Sequence, residues 1–266
     1  MPSDIANAVF YAAVFLGIVY GSRILEKRWP IADVPYPEFR DDWLAVIVSL
    51  GLSHMLAPIA AISAGAIASY AGVGWIKLPT DGYWWYVSLA IVVVALDLYK
   101  YTYHRLQHAI PFLWAMHSFH HSANGVTFIT GGRHFWFERV LSDAFLPIMA
   151  ILFRVPADMA IAVGFIFFIP DTCAHLNVRI PLGRFVTWVN NPQWHRIHHS
   201  VHPEHRDKNF AAFFPLLDIL FGTAWVPKPD EYPATGLVPA ERVDIINSVI
   251  WPIRHLRHRE SRNELG

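Results

Sequence analysis

Residues 83–108 read YWWYVSLAIVVVALDLYKYTYHRLQH, an apolar run that flows without a break into two histidines four positions apart. About twenty residues of helix cross the hydrocarbon of a bilayer, and the stretch from Tyr83 to Tyr103 is that long. The four aromatic residues at its start suit one membrane interface. Its far end delivers His104 and His108 to the opposite interface, on one face of the same helix. The run therefore predicts a helical membrane protein with imidazoles gathered at one side of the bilayer.

Outward from this stretch, three further hydrophobic segments cover residues 5–24, 43–70 and 140–169. The second contains Pro58 and several glycines, so a kink or a pair of shorter helices is expected. The last is interrupted by Arg154-Val155-Pro156, which reads as a helical hairpin or re-entrant pair, and Pro170-Asp171 is expected to end it. The first segment lacks a basic n-region and reads as a retained anchor. Composition agrees: 54% of the 266 residues are hydrophobic and 16% charged, with mean hydropathy +0.31, a poor match to a soluble domain. The fold class is all-α, a multi-pass transmembrane bundle of about four spanning helices or two hairpins.

Formal net charge is zero with histidine neutral, so nothing points to nucleic acid. The single Cys173 excludes an intramolecular disulfide and thiolate zinc sites. Any metal must be held by nitrogen and oxygen. The basic residues Arg23, Lys27, Arg28 and Arg40 follow the first span, and Arg105, Arg133 and Arg139 lie between the third and fourth. Positive charge favours the cytoplasm, which places the N-terminus outside and residues 103–139 and 171–266 inside. The location expected is a multi-pass integral membrane one with a cytoplasmic active site, in a bacterial inner membrane.

Eight of the fifteen histidines form three clusters: His104 and His108; His117, His120 and His121; His195, His198 and His199. Residues three and four apart share a helix face, so each cluster is read as a half-site aiming at one point. Eight imidazoles exceed the four positions of a closed zinc site and suit two ions with open positions. The bland alternative, interfacial histidines at helix ends, has to explain three clusters on one side of the membrane. Asp97, two turns before His104, is read as a carboxylate that accepts from a ligand's second N–H. His175, in Asp171-Thr-Cys-Ala-His175-Leu-Asn177, is a ninth candidate ligand. His134, His202 and His205 fall outside the clusters, His54 reads as a helix-packing residue, and His255 and His258 belong to a basic C-terminal tail.

This pattern resembles the fatty acid hydroxylase and sterol desaturase superfamily over residues 97–225. The pieces are Asp97-x3-Tyr101-x2-His104-Arg105-x2-His108, Leu113-Trp114-x2-His117-x2-His120-His121-Ser122 and Asn191-Pro192-x2-His195-Arg196-x-His198-His199. His175-x-Asn177, Asp207-x-Asn209-Phe210 and Asp218-x2-Phe221-Gly222-Thr223 add to them. Arg133 and Glu138 keep the family spacing of an Arg-x-His-Pro-x-Glu stretch, but here the histidine is displaced to His134 and the proline is absent. The resemblance implies one membrane domain over residues 1–266, a helical bundle capped by a cytosolic helical domain, and a centre of two iron ions between them. It implies that the eight clustered histidines are ligands, with His175 an addition and Asp97, Asn177 and Asp207 behind them.

The expected activity is O2-dependent hydroxylation of a lipid C–H bond on a fatty acyl, alkyl or sterol-like chain, with desaturation by the same centre as the alternative. Zinc would compete for these nitrogen ligands in purified protein. The chain has no dinucleotide-binding glycine motif and no cysteines for an iron–sulfur cluster. Electrons must come from an external donor: a ferredoxin, a b-type cytochrome or a reduced pterin. Arg196, Arg206 and Lys208 are candidates to dock an acidic donor protein, or equally to face lipid headgroups. A membrane metal transporter is the non-enzyme rival, and it would need ligands near the bilayer midplane.

Overall fold

The computed structural model describes residues 2–241 and 243–263. Among them the backbone is helical, with isolated bridges and no strand. The order is α1 (Pro2–Arg28), α2 (Tyr36–Ala71), α3 (Trp84–Ala109), α4 (Pro111–His121), α5 (Trp136–Leu152), α6 (Ala157–Ala174), α7 (Pro192–His198), α8 (Leu216–Leu220) and α9 (Ile245–Asn263). Three of these are long and apolar enough to cross a membrane, over residues 38–71, 84–109 and 157–174. At most 28% of any such window is buried, so most of this apolar surface needs lipid around it. The protein is integral to a membrane. The side chains of residues 5–12 and 15 in the first expected segment, and of Arg257, His258 and Arg259 in the tail, lie outside the described residues.

The α2 helix is one continuous helix that includes Pro58, so of the two expectations the pair of shorter helices does not occur. A proline inside a helix forfeits one backbone bond, which a membrane helix tolerates. His54 is exposed on α2, its Nδ1 2.8 Å from the Leu50 carbonyl, and so it faces away from the helix contacts it was expected to make. Residues 140–169 divide into α5 and α6 at Phe153–Pro156, where Ile76 and Phe153 pair as a parallel bridge. The α6 helix then continues through the buried Pro170 to Ala174. The expected stop at Pro170-Asp171 therefore does not occur, and the extra turn carries His175 at the helix's C-cap.

Two apolar clusters position the histidine helices. Val92 and Val93 of α3 pack with Met159, Val163 and Phe167 of α6, which holds the span bearing His104 and His108. Met116 and Phe119 of α4 pack with Ala45 of α2 and Trp251 of α9. Trp251 also donates its indole N–H to Ser118 Oγ at 3.0 Å. Anchoring α4 in this way fixes its rotation and the directions of His117, His120 and His121. The short α7 begins at Asn191, whose side chain accepts the Gln193 and Trp194 amides, with Pro192 at the first helical position, a strong start signal. Trp194 and Ile197 are fully buried, which turns His195, His198 and His199 inward.

Candidate metal centre

Nine histidines converge into two groups. His104, His108, His117, His121 and His198 form one, and His120, His175, His195 and His199 the other; in each, the ring nitrogens lie within 4.8 Å of one another. Burial pushes the imidazoles of His120, His121, His195, His198 and His199 well below the usual histidine value, and neighbouring rings push the same way. These rings are therefore neutral near pH 7, the form that binds a cation.

The outer nitrogens define which way the lone pairs point. Nδ1 of His104 donates to the Phe210 carbonyl at 2.9 Å, His120 to Arg133 at 3.2 Å, His175 to Asp171 at 3.0 Å, and His198 to Lys208 at 2.8 Å. A carbonyl oxygen can only accept, so each Nδ1 carries the proton and each Nε2 keeps a free lone pair. His117 Nδ1 donates to the Glu138 carboxylate at 2.9 Å. The Nε2 atoms of His104 and His117 are nevertheless 3.0 Å apart, and those of His120 and His175 3.3 Å apart. Two lone pairs facing one another at that distance repel unless a cation lies against both. Nitrogen ligands about 2.1 Å from a shared ion stand about 3 Å apart. His108, His121 and His198 further contribute buried Nε2 atoms with no partner. Both groups are compatible with metal binding.

The groups do not follow the sequence clusters. Each cluster was expected to aim at one point, but His120 and His121 enter different groups, as do His198 and His199. Successive residues on a helix are rotated by about 100°, so adjacent histidines diverge and only i, i+3 and i+4 partners converge. His117 and His121 share one group, and His195 and His199 the other. The second and third clusters thus each serve both groups and tie them together.

The expected supporting residues fare unequally. Asp207 Oδ1 is 3.2 Å from His108 Nδ1. Asp97 touches no histidine: its two carboxylate oxygens accept the Phe213 and Phe214 amides, each at 2.9 Å. It shares a helix face with His104, but the segment after α7 reaches it first. Asn177 likewise bonds backbone, taking the Ala32 amide and donating to the Ala32 carbonyl. Arg196, expected to face a partner, is 3% exposed and donates to the Pro233 carbonyl, and burial pushes its guanidinium down to about 10. Arg206 is exposed and Lys208 half-buried. His205 is buried against Ser200 Oγ, away from both groups.

Sequence reading assigned no role to Glu138, which is buried behind the first group. Its Oε1 accepts from His117 Nδ1, from Gln107 Nε2 at 2.6 Å and from His134 Nδ1 at 3.2 Å. Burial alone would raise its carboxyl, but the His134 and His117 rings hold it well below the usual carboxylate range. His134, His117 and Glu138 form a third close set, joined to one another through Oε1 of Glu138. His134 also stacks on His120, with centroids 4.5 Å apart. The preserved spacing of Arg133 and Glu138 was the only available clue.

Two cavities reach different histidines. One of about 290 Å³ is lined by Leu96, Tyr99 and Tyr103 of α3, by Ala211 and Ala212, and by rings of both groups. The other, of about 450 Å³, reaches only the first group, through His108, His121 and His198, and is walled by Trp114 and Leu237.

An all-helical membrane protein with two groups of imidazoles at the end of a span has the donor set of a membrane protein able to bind metal. The fatty acid hydroxylase family model matches residues 89–223, and the chain belongs to that family. Alkylglycerol monooxygenase of Danio rerio is 26% identical over 231 residues, 85% of this chain and 48% of the relative. The Homo sapiens alkylglycerol monooxygenase is 31% identical over 148 residues, 55% of this chain and 32% of its own length. The ornithine lipid hydroxylase of Rhizobium tropici is 28% identical over 137 residues, 52% and 41%. The chain thus spans about half the length of these relatives or less. No solved structure matches it.

Proposed function

We propose that this chain holds two iron ions, one in each histidine group, and hydroxylates a C–H bond of a membrane lipid with O2. The observation that carries the reading is the close approach of Nε2 atoms in each group, His104 to His117 and His120 to His175. The ligands would be His104, His108, His117, His121 and His198 on one ion and His120, His175, His195 and His199 on the other. Bound there, iron supplies the one-electron steps that activate O2 toward an unactivated C–H bond. Two electrons come from an external donor, and the sum is RH, O2, two electrons and two protons giving ROH and water.

The protein's own share is binding, orientation and exclusion of water. Backbone carbonyls and Glu138 hold the imidazole tautomers. The cavity beside α3 presents Leu96, Tyr99, Ala211 and Ala212 to an alkyl chain, and its Lys100, Arg139 and Ser142 suit a polar headgroup. The names of the relatives, a monooxygenase and a hydroxylase of lipids, favour hydroxylation over desaturation and a substrate with a polar head and an alkyl chain. A single domain, with residues 97–225 carrying the histidine region and the histidine layer in the cytoplasm, fits the distribution of arginine and lysine. A transporter would need free ligands at mid-bilayer, whereas Asp97 is engaged by two amides and His54 by a carbonyl.

Comparing total lipids from cells carrying this chain with cells carrying His120→Ala tests the reading. A lipid class that gains one oxygen only with the parent chain is expected. Identical lipid profiles from equal amounts of folded protein would overturn it.

A further inference from the structure

The segment between α7 and the loop around Trp225 carries an exposed apolar surface that the metal site does not explain. Leu216 is 54% exposed, Ile219 47%, Leu220 67% and Phe221 52%, all on or beside the short α8. Its depth is set by α3. Asp97 binds the Phe213 and Phe214 amides, and Tyr101 stacks on Phe221 with centroids 5.3 Å apart. Counting from Trp84, Asp97 lies about 20 Å along the helix axis and Tyr101 about 26 Å. The hydrocarbon is about 30 Å thick, and any tilt of α3 shortens those depths further. Both residues, and the segment that touches them, therefore lie at hydrocarbon level when the aromatic cluster at residues 83–86 sits at the far interface.

We infer that residues 210–221 form a re-entrant element inside the leaflet adjoining the histidine layer, with Leu216, Ile219, Leu220 and Phe221 against lipid chains. Its backbone supports this independently. Irregular backbone at membrane depth must find its partners within the protein, and here two buried carboxylates supply them. Asp218 accepts the Phe210 and Ala211 amides at 2.8 and 2.9 Å, as Asp97 does those of Phe213 and Phe214. The Phe210 and Phe213 carbonyls accept from His104 Nδ1 and the Asn190 amide. The element also positions the centre, because its first carbonyl fixes the His104 ring. Phe210, Ala211 and Ala212 wall the cavity beside α3, so a chain lying in the leaflet can reach that cavity sideways without passing through water.

The test uses the full chain in phospholipid vesicles, with the native cysteine removed (Cys173→Ala) and single cysteines placed at Leu220, Ile219 or the exposed Glu204. The expected result is loss of labelling by a charged, water-soluble maleimide at Leu220→Cys and Ile219→Cys, with Glu204→Cys labelled in the same preparation. An apolar environment-sensitive probe at Leu220→Cys should be blue-shifted and quenched by lipids bearing a nitroxide on the acyl chain. Labelling of both positions as fast as Glu204→Cys would overturn the inference. So would a disulfide between two chains through Leu220→Cys, which would make the surface a contact between copies. Neither readout depends on metal or activity, so the inference stands or falls apart from the proposed reaction.

Discussion

Replacing Glu138 by alanine strips the support from one metal group while leaving every proposed ligand in place. The substitution removes the acceptor of His117 Nδ1 and of Gln107 Nε2, both buried. Each stranded donor costs about 1–3 kcal/mol, so stability should fall by about 2–6 kcal/mol. Loss of a carboxylate behind a ligating histidine also weakens metal affinity by about 10–100-fold, equivalent to about 1.4–2.7 kcal/mol. The loss should fall on the five-histidine group, because among the histidine ligands Glu138 touches only His117. Purified parent and variant would be dialysed against a graded chelator and their metal counted. The parent should keep two ions where Glu138→Ala keeps one, with Glu138→Gln intermediate because its amide oxygen can still accept from His117. An alanine variant that holds two ions as firmly as the parent would refute the reasoning.

Because adjacent histidines serve different groups, His198→Ala and His199→Ala should each lose one ion, and the double variant both. His120→Ala combined with His199→Ala should lose no more than one, since both belong to the same group; metal analysis distinguishes these outcomes. Asp97→Ala strands two amides at membrane depth and should lower stability by about 2–6 kcal/mol, with Asp97→Asn milder because one acceptor remains, as read by thermal unfolding in detergent. Arg133 and Asp42 pair within the protein at 2.6 Å. Removing one partner should cost about 3–5 kcal/mol, and the double variant Arg133→Met with Asp42→Asn should recover part of that in the same assay.

Much of this protein is legible in its sequence because its chemistry is carried by local periodicity. The span at residues 83–103, the helical class and the clustering of eight histidines all follow from spacings of three, four and about twenty residues. What is not legible is set by contacts between distant positions. Four of the nine histidines turn their outer nitrogen to a backbone carbonyl, and a carbonyl carries no residue identity. The partner of Asp97 lies 116 residues away, so its helix face pointed to His104 while its carboxylate went elsewhere. Glu138 is 21 residues from His117 and is joined to it only by folding. The division of His120 from His121 is different: the 100° rotation per residue was available in the sequence, but only α7 and the end of α6 show where the second group gathers.

The most direct measurement of the central claim is a single turnover of purified protein loaded with ferrous iron in lipid vesicles, given a chemical reductant and 18O2. A lipid alcohol carrying one 18O atom is expected, formed by the parent and absent with His120→Ala. Full iron loading with no labelled alcohol, or an alcohol whose oxygen comes from water, would contradict it.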